Sequence, residues 1–121
     1  MAERKENRTT PRIQPYVVPC RIQHAGQQLP GYVMDLSSRG ARVTCETAPP
    51  AVGQVLVLDV RLARRHGQVR LPARVLWSRP LLHPTPGHEF GVTFEGLLAR
   101  VQEVLETVVK DFHRHAEQLA R

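Results

Sequence analysis

The chain has 121 residues, 41% hydrophobic and 5% aromatic, enough for one domain with a modest core built mainly from Val, Leu and Ala. Its formal charge is +6, and Lys5 and Lys110 are the only lysines among its cations. The longest apolar-rich run, Val55 to Val60, is interrupted by Asp59, and the start, Met1 to Asn7, is charged, which argues against membrane insertion and secretion and makes a cytoplasmic protein the expectation.

Residues 1–12 are polar, charged and without periodicity, which predicts a flexible N-terminal arm. Pro11 and Pro15 keep the residues before them out of the helical region, so the arm enters the domain extended. Tyr16 to Gln23 is the first predicted strand, with Pro19 suited to an edge or a bulge. His24 to Gln27 turns the chain, Gln28 to Leu36 is the second strand, and Ala41 to Cys45 is the third. Glu46 to Gly53 is a loop. Gln54 to Leu62 is the fourth strand, with Val55, Val57 and Asp59 on one face and Leu56, Leu58 and Val60 on the other.

Arg64 to Gly67 makes the next turn, and Val69 to Arg79 is a longer fifth strand. Val69, Leu71, Ala73, Val75 and Trp77 share a face there at period two, and Pro72 predicts an irregularity near its start. After the proline-rich loop Pro80 to Gly87, His88 to Phe94 is the sixth strand. The period then changes: Leu97, Val101, Val104, Leu105, Val108, Phe112 and Leu119 lie close to one stripe of an amphipathic helix ending near Gln118. Six short strands and one terminal helix predict a mainly β fold, a small antiparallel barrel over 13–96 with a C-terminal α-helix over 97–121. Cys20 and Cys45 have no C-x-x-C spacing and are expected as reduced, buried thiols.

Between the second and third strands lies Asp35-Leu36-Ser37-Ser38-Arg39-Gly40. In such a turn a carboxylate, a hydroxyl and a bare backbone can converge on one ligand, although the same residues also serve to cap the turn. Upstream, Arg8 and Arg12 are four apart in the arm, and in an extended segment they stand roughly 13 Å from each other. The pair reads R-x-x-x-R followed by D-x-S-x-x-G and, within a β framework running from about Arg8 to Gly96, resembles the PilZ domain family of bacterial cyclic di-GMP receptors. Arg4 and Arg8 also satisfy the first pattern. Arg8 and Arg12 are preferred because Arg12 stands just ahead of the first strand, as the family's second arginine does.

The resemblance implies a six-stranded barrel, no catalytic activity, and cyclic di-GMP as ligand, bound by Arg8, Arg12, Asp35, Ser37 and Gly40. The chemistry suits that ligand. Arginine forks match phosphates and guanine edges and stack on flat rings. An ionised Asp35 accepts only, which fits the N1–H and N2–H donors of guanine. Ser37 can bond a base or a phosphate oxygen, and Gly40 allows close backbone approach or positive φ.

Other constellations are weaker. His113 and His115 face different sides of a helix, and His24, His66, His83 and His88 lie in or near turns without ligand spacing, so no metal is expected. A downstream protein partner is expected, reached by ordering of the arm or by recruitment. The rival readings are a nucleotide-independent adaptor on the same fold and a basic barrel that binds nucleic acid. The second would want aromatics on a strand face for base stacking, where Trp77 is nearly alone, so no specific nucleic acid is expected.

Overall fold

A computed structural model describes residues 12–13, 17–62, 66–82 and 86–119, with side chains described at 17–62, 66–82 and 86–111. Its strands are β1 (Arg12–Ile13), β2 (Val18–His24), β3 (Gln27–Ser37), β4 (Gly40–Cys45), β5 (Val55–Arg61), β6 (Gln68–Leu81) and β7 (Gly87–Phe94), followed by α1 (Ala99–Leu119). The strands follow each other in the order β3-β2-β5-β6-β7-β4, and pairing of β4 back onto β3 closes a six-stranded antiparallel barrel. The short β1 pairs with the last residues of β3, past the end of the β2 pairing at Val33, with Arg12 opposite Ser37 and Ile13 opposite Leu36.

Period-two patterning decides which side chains point inward. In β5, Leu56, Leu58 and Val60 are buried while Val55 and Arg61 are exposed. Ile22, Val33, Leu36, Val43, Leu71, Val75 and Phe90 fill the barrel from the other strands. Burying each of these branched or aromatic side chains contributes about 1.5–3 kcal/mol, so the barrel is held by its interior even though aromatics are scarce. From α1, Val101, Leu105, Val108 and Val109 are buried in the same core and Val104 packs against it, as does Leu97 just ahead of the helix. The helix contacts β1, β3 and β6.

The prolines sit where a missing N–H is tolerated. Pro19 pairs with Tyr32 of β3, and on the other side the pairing of β2 with β5 begins only at Cys20. Pro72 pairs with Val57, and pairing of β6 with β7 begins only at Ala73. The irregularity expected near Pro72 therefore lies elsewhere: the register of β6 against β7 shifts between Val75 and Trp77. That bulge breaks the period of two. Val69, Leu71, Ala73 and Val75 face the core as expected, but Leu76 is exposed and Trp77 is turned to the outer surface, 39% exposed.

The two-residue turn Ala25–Gly26 has positive φ at both positions (52° and 79°), the geometry that matches the twist of a hairpin. Cys20 and Cys45 are free and buried. Burial pushes the Cys20 thiol up to about 12, helped by Cys45, and the Cys45 thiol up to about 11. Among the described residues no helix is long and apolar enough to cross a membrane.

Candidate functional site

The end of β3, the turn after it and the start of β4 form one polar knot on the outside of the barrel. Ser37 Oγ accepts the backbone N–H groups of Arg39 and Gly40, each at 3.1 Å, and donates to the Gly40 carbonyl at 3.3 Å. One hydroxyl thus closes the turn, the local bonding that makes serine favourable there. Gly40 faces Thr93 of β7, and a Cβ at this position would collide with the Val92 carbonyl. Its requirement is therefore close approach of a neighbouring strand; positive φ is not involved. The carbonyl of Arg39 accepts the N–H of Phe94 at 2.8 Å, tying the turn to β7.

Asp35 is 2% exposed and sits just past a register shift between Val33 and Asp35. The shift puts Asp35 opposite Arg42, whose Nε donates to Asp35 Oδ2 at 3.0 Å. Arg42 also donates through Nη1 to Oε2 of Glu89, itself 3% exposed. Glu89 pairs across the sheet with Arg79, which donates to Glu89 Oε1 from Nε at 2.8 Å and from Nη2 at 2.6 Å. Charges alternate in sign across four strands, Asp35 on β3, Arg42 on β4, Glu89 on β7 and Arg79 on β6. At its outer end the Arg79 guanidinium lies 5.8 Å from the centre of the Trp77 ring.

Electrostatics agrees with the geometry. Burial by itself would lower the Arg42 pKa, but hydrogen bonds to Asp35 and Glu89 outweigh it and hold the guanidinium above its ordinary value. Burial by itself would raise Glu89, and the hydrogen bonds from Arg42 and Arg79 outweigh it, keeping its carboxyl below the usual range. Gly91 makes room for the cluster: it faces Arg42 on one side and Trp77 on the other, and a Cβ there would run into the indole.

Of the five residues expected at the site, Asp35, Ser37 and Gly40 lie together in this knot. The backbone of Arg12 joins them through its pairing with Ser37. Arg8, like the alternative Arg4, lies outside the described residues. Sequence reasoning missed Arg42, Glu89, Arg79 and Trp77. A signal existed in the charged residues at alternate positions of predicted strands, but only the register brings them into line. Among the described residues no group of His, Cys, Asp or Glu is arranged to hold a metal ion.

The family model described as "PilZ domain" matches residues 4–111. Several solved structures share the fold. The PilZ domain of YcgR from Escherichia coli, solved with c-di-GMP, has a TM-score of 0.72 at 20% identity, covering 93% of this chain and 96% of that one. The MrkH–c-di-GMP complex of K. pneumonia has a TM-score of 0.76 at 16% identity, with coverage of 98% and 56%. The inhibitor of motility MotI/DgrA of Bacillus subtilis has a TM-score of 0.73 at 17% identity, with coverage of 98% and 57%. The chain thus spans nearly all of the first and little more than half of the other two. No curated protein matches the sequence.

Proposed function

This chain belongs to the PilZ domain family, and from that premise we propose that it is a non-catalytic receptor for cyclic di-GMP. The observation that supports the reading most is the register of β1 on β3: Arg12 opposite Ser37 joins the two halves of the sequence pattern. The likeness to solved PilZ structures bound to c-di-GMP supports it further.

Each residue then has a distinct task. The four-charge cluster is balanced, with two carboxylates and two guanidiniums, so the charge that attracts two phosphates comes from Arg8 and Arg12. Asp35 accepts the N1–H and N2–H of one guanine, which adenine cannot supply. The Ser37 hydroxyl holds the turn through the two amides it accepts. Its weaker donation to the Gly40 carbonyl, at 3.3 Å, is the bond it can redirect to a ligand oxygen. Gly40 keeps the turn against β7.

Asp35 and Ser37 are only 2% and 3% exposed, so a ligand that reaches them must displace what covers them. Binding through these groups is therefore coupled to rearrangement, and ordering of the arm ahead of β1 around the nucleotide is the step that passes the signal to a protein partner.

One observation favours a second reading. The bonds of Ser37 within its turn and the Asp35–Arg42 pair give both residues a structural use without any ligand, as a nucleotide-independent adaptor would need. An amide-resolved NMR titration with cyclic di-GMP separates the two. The receptor reading expects saturable shifts concentrated at Arg12 and at Asp35 to Gly40. Spectra unchanged at millimolar nucleotide would favour the adaptor.

A further inference from the structure

Glu89 belongs to neither sequence motif, yet it occupies the centre of the charged chain that ends on Asp35. It lies on β7, two positions before Gly91, which is the direct partner of Arg42. Glu89 and Arg42 are therefore diagonal neighbours on one sheet face, within reach of long side chains. The side-chain exposure of Glu89 is 4%, and its two oxygens take different arginines, Oε2 from Arg42 and Oε1 from Arg79. Arg42, pinned at Nη1 by Glu89, presents Nε to Asp35 Oδ2 at 3.0 Å. A planar guanidinium fixed at two points has a set orientation, and its bond anchors Asp35 Oδ2 and so opposes rotation of that carboxylate about its Cβ–Cγ bond.

We propose that Glu89 and Arg42 are positioning residues for base selection: they hold the Asp35 carboxylate in the one plane that receives both donors of a guanine edge. This rests on the receptor reading and extends it to selectivity. A carboxylate free to rotate would still accept a single donor, so it would bind hypoxanthine, which has N1–H but no 2-amino group, nearly as well as guanine. A carboxylate held in plane gains the second hydrogen bond. The difference between cyclic di-GMP and cyclic di-IMP therefore reports the orientation of Asp35. Arg79 and Trp77 complete the support from the other side, because Arg79 holds Glu89 Oε1 while lying against the indole.

The test is the ratio of dissociation constants for the two dinucleotides, measured by calorimetry on the full chain at one salt concentration. Wild type should prefer cyclic di-GMP by about tenfold or more, the factor for one hydrogen bond to a charged group. Glu89→Gln keeps the shape and one acceptor, and should stay folded while the ratio drops at least threefold. Arg42→Lys keeps the charge but cannot bridge two carboxylates in a plane, and should lose most of the ratio with a smaller loss of overall affinity. A purely structural role would lower the melting temperature of both variants and leave the ratio alone.

Wild-type ratios in both variants would overturn the inference while leaving the receptor intact. A wild type that binds neither dinucleotide would overturn the receptor reading and this inference with it. Should either variant fail to fold, the ligand-free wild type decides the point through the Arg42 Nε–H resonance. Slow exchange with water, lost in Asp35→Ala, is expected; exchange as fast as that of an exposed arginine would overturn the proposal.

Discussion

Replacing Asp35 by alanine separates a carboxylate that reads a base from one that only holds a turn. In the free protein Asp35 accepts a hydrogen bond from Arg42, and Arg42 is 27% exposed and keeps Glu89 when Asp35 is lost. Breaking a fully buried pair costs about 3–5 kcal/mol, because a charge is left without compensation. Here the charge stays compensated and partly solvated, so the loss should fall to about 1.5–3 kcal/mol, the range of one hydrogen bond to a charged group. At roughly 4 °C for each kcal/mol in a chain of this size, the protein remains folded at 20 °C with a visibly lower melting point. Binding should suffer more. Two guanine donors lose a charged acceptor at about 1.5–3 kcal/mol each, which weakens affinity by roughly a hundredfold at least. Asp35→Asn retains one acceptor for Arg42 and should fall between wild type and alanine in affinity, with a smaller shift in melting. The assay is calorimetry with cyclic di-GMP well below the melting temperature of each variant. A folded Asp35→Ala protein with wild-type affinity would refute the role given to this residue.

Arg12→Ala should weaken binding at least tenfold with nearly unchanged stability, and Arg4→Ala should do much less; the reverse order in a titration would move the motif to Arg4 and Arg8. Amides of the arm ahead of β1 should exchange faster without nucleotide than with it, and equal protection in both states would remove the arm as the switch. Cys20 and Cys45, pushed from 9.0 to about 12 and about 11, should resist a thiol reagent at pH 8 in the native protein and react on unfolding. Because the unfolded thiols release protons first, stability should fall as pH rises from about 9 towards 11–12, and alkaline melts check this. Gly91→Ala should push the Trp77 indole off its seat, read as a change in tryptophan emission; an unchanged spectrum would contradict the packing.

Much of the barrel was legible because its strands alternate cleanly. Leu56, Leu58 and Val60 face inward as their spacing predicts, and the change of period at Leu97 marks the approach to α1. The reading failed at Trp77, since a bulge is a property of two strands and nothing within Val69 to Arg79 announces it. The same reason hid half of the site. Asp35, Ser37 and Gly40 are close in sequence, so a local pattern exposes them. Glu89 and Arg42 meet across a diagonal between β4 and β7, and only the register creates that contact. The pairing of β1 with β3 was equally out of reach, because two residues, Arg12 and Ile13, carry no period.

The central claim is that this PilZ domain takes cyclic di-GMP through its polar turn and arm. Calorimetric titration of the wild-type chain with cyclic di-GMP, with GTP and cyclic di-AMP as controls, tests it most directly. Saturable heat from cyclic di-GMP, with GTP and cyclic di-AMP at least a hundredfold weaker, is the predicted result. No heat of binding from any of the three, or equal affinity for cyclic di-AMP, would contradict it.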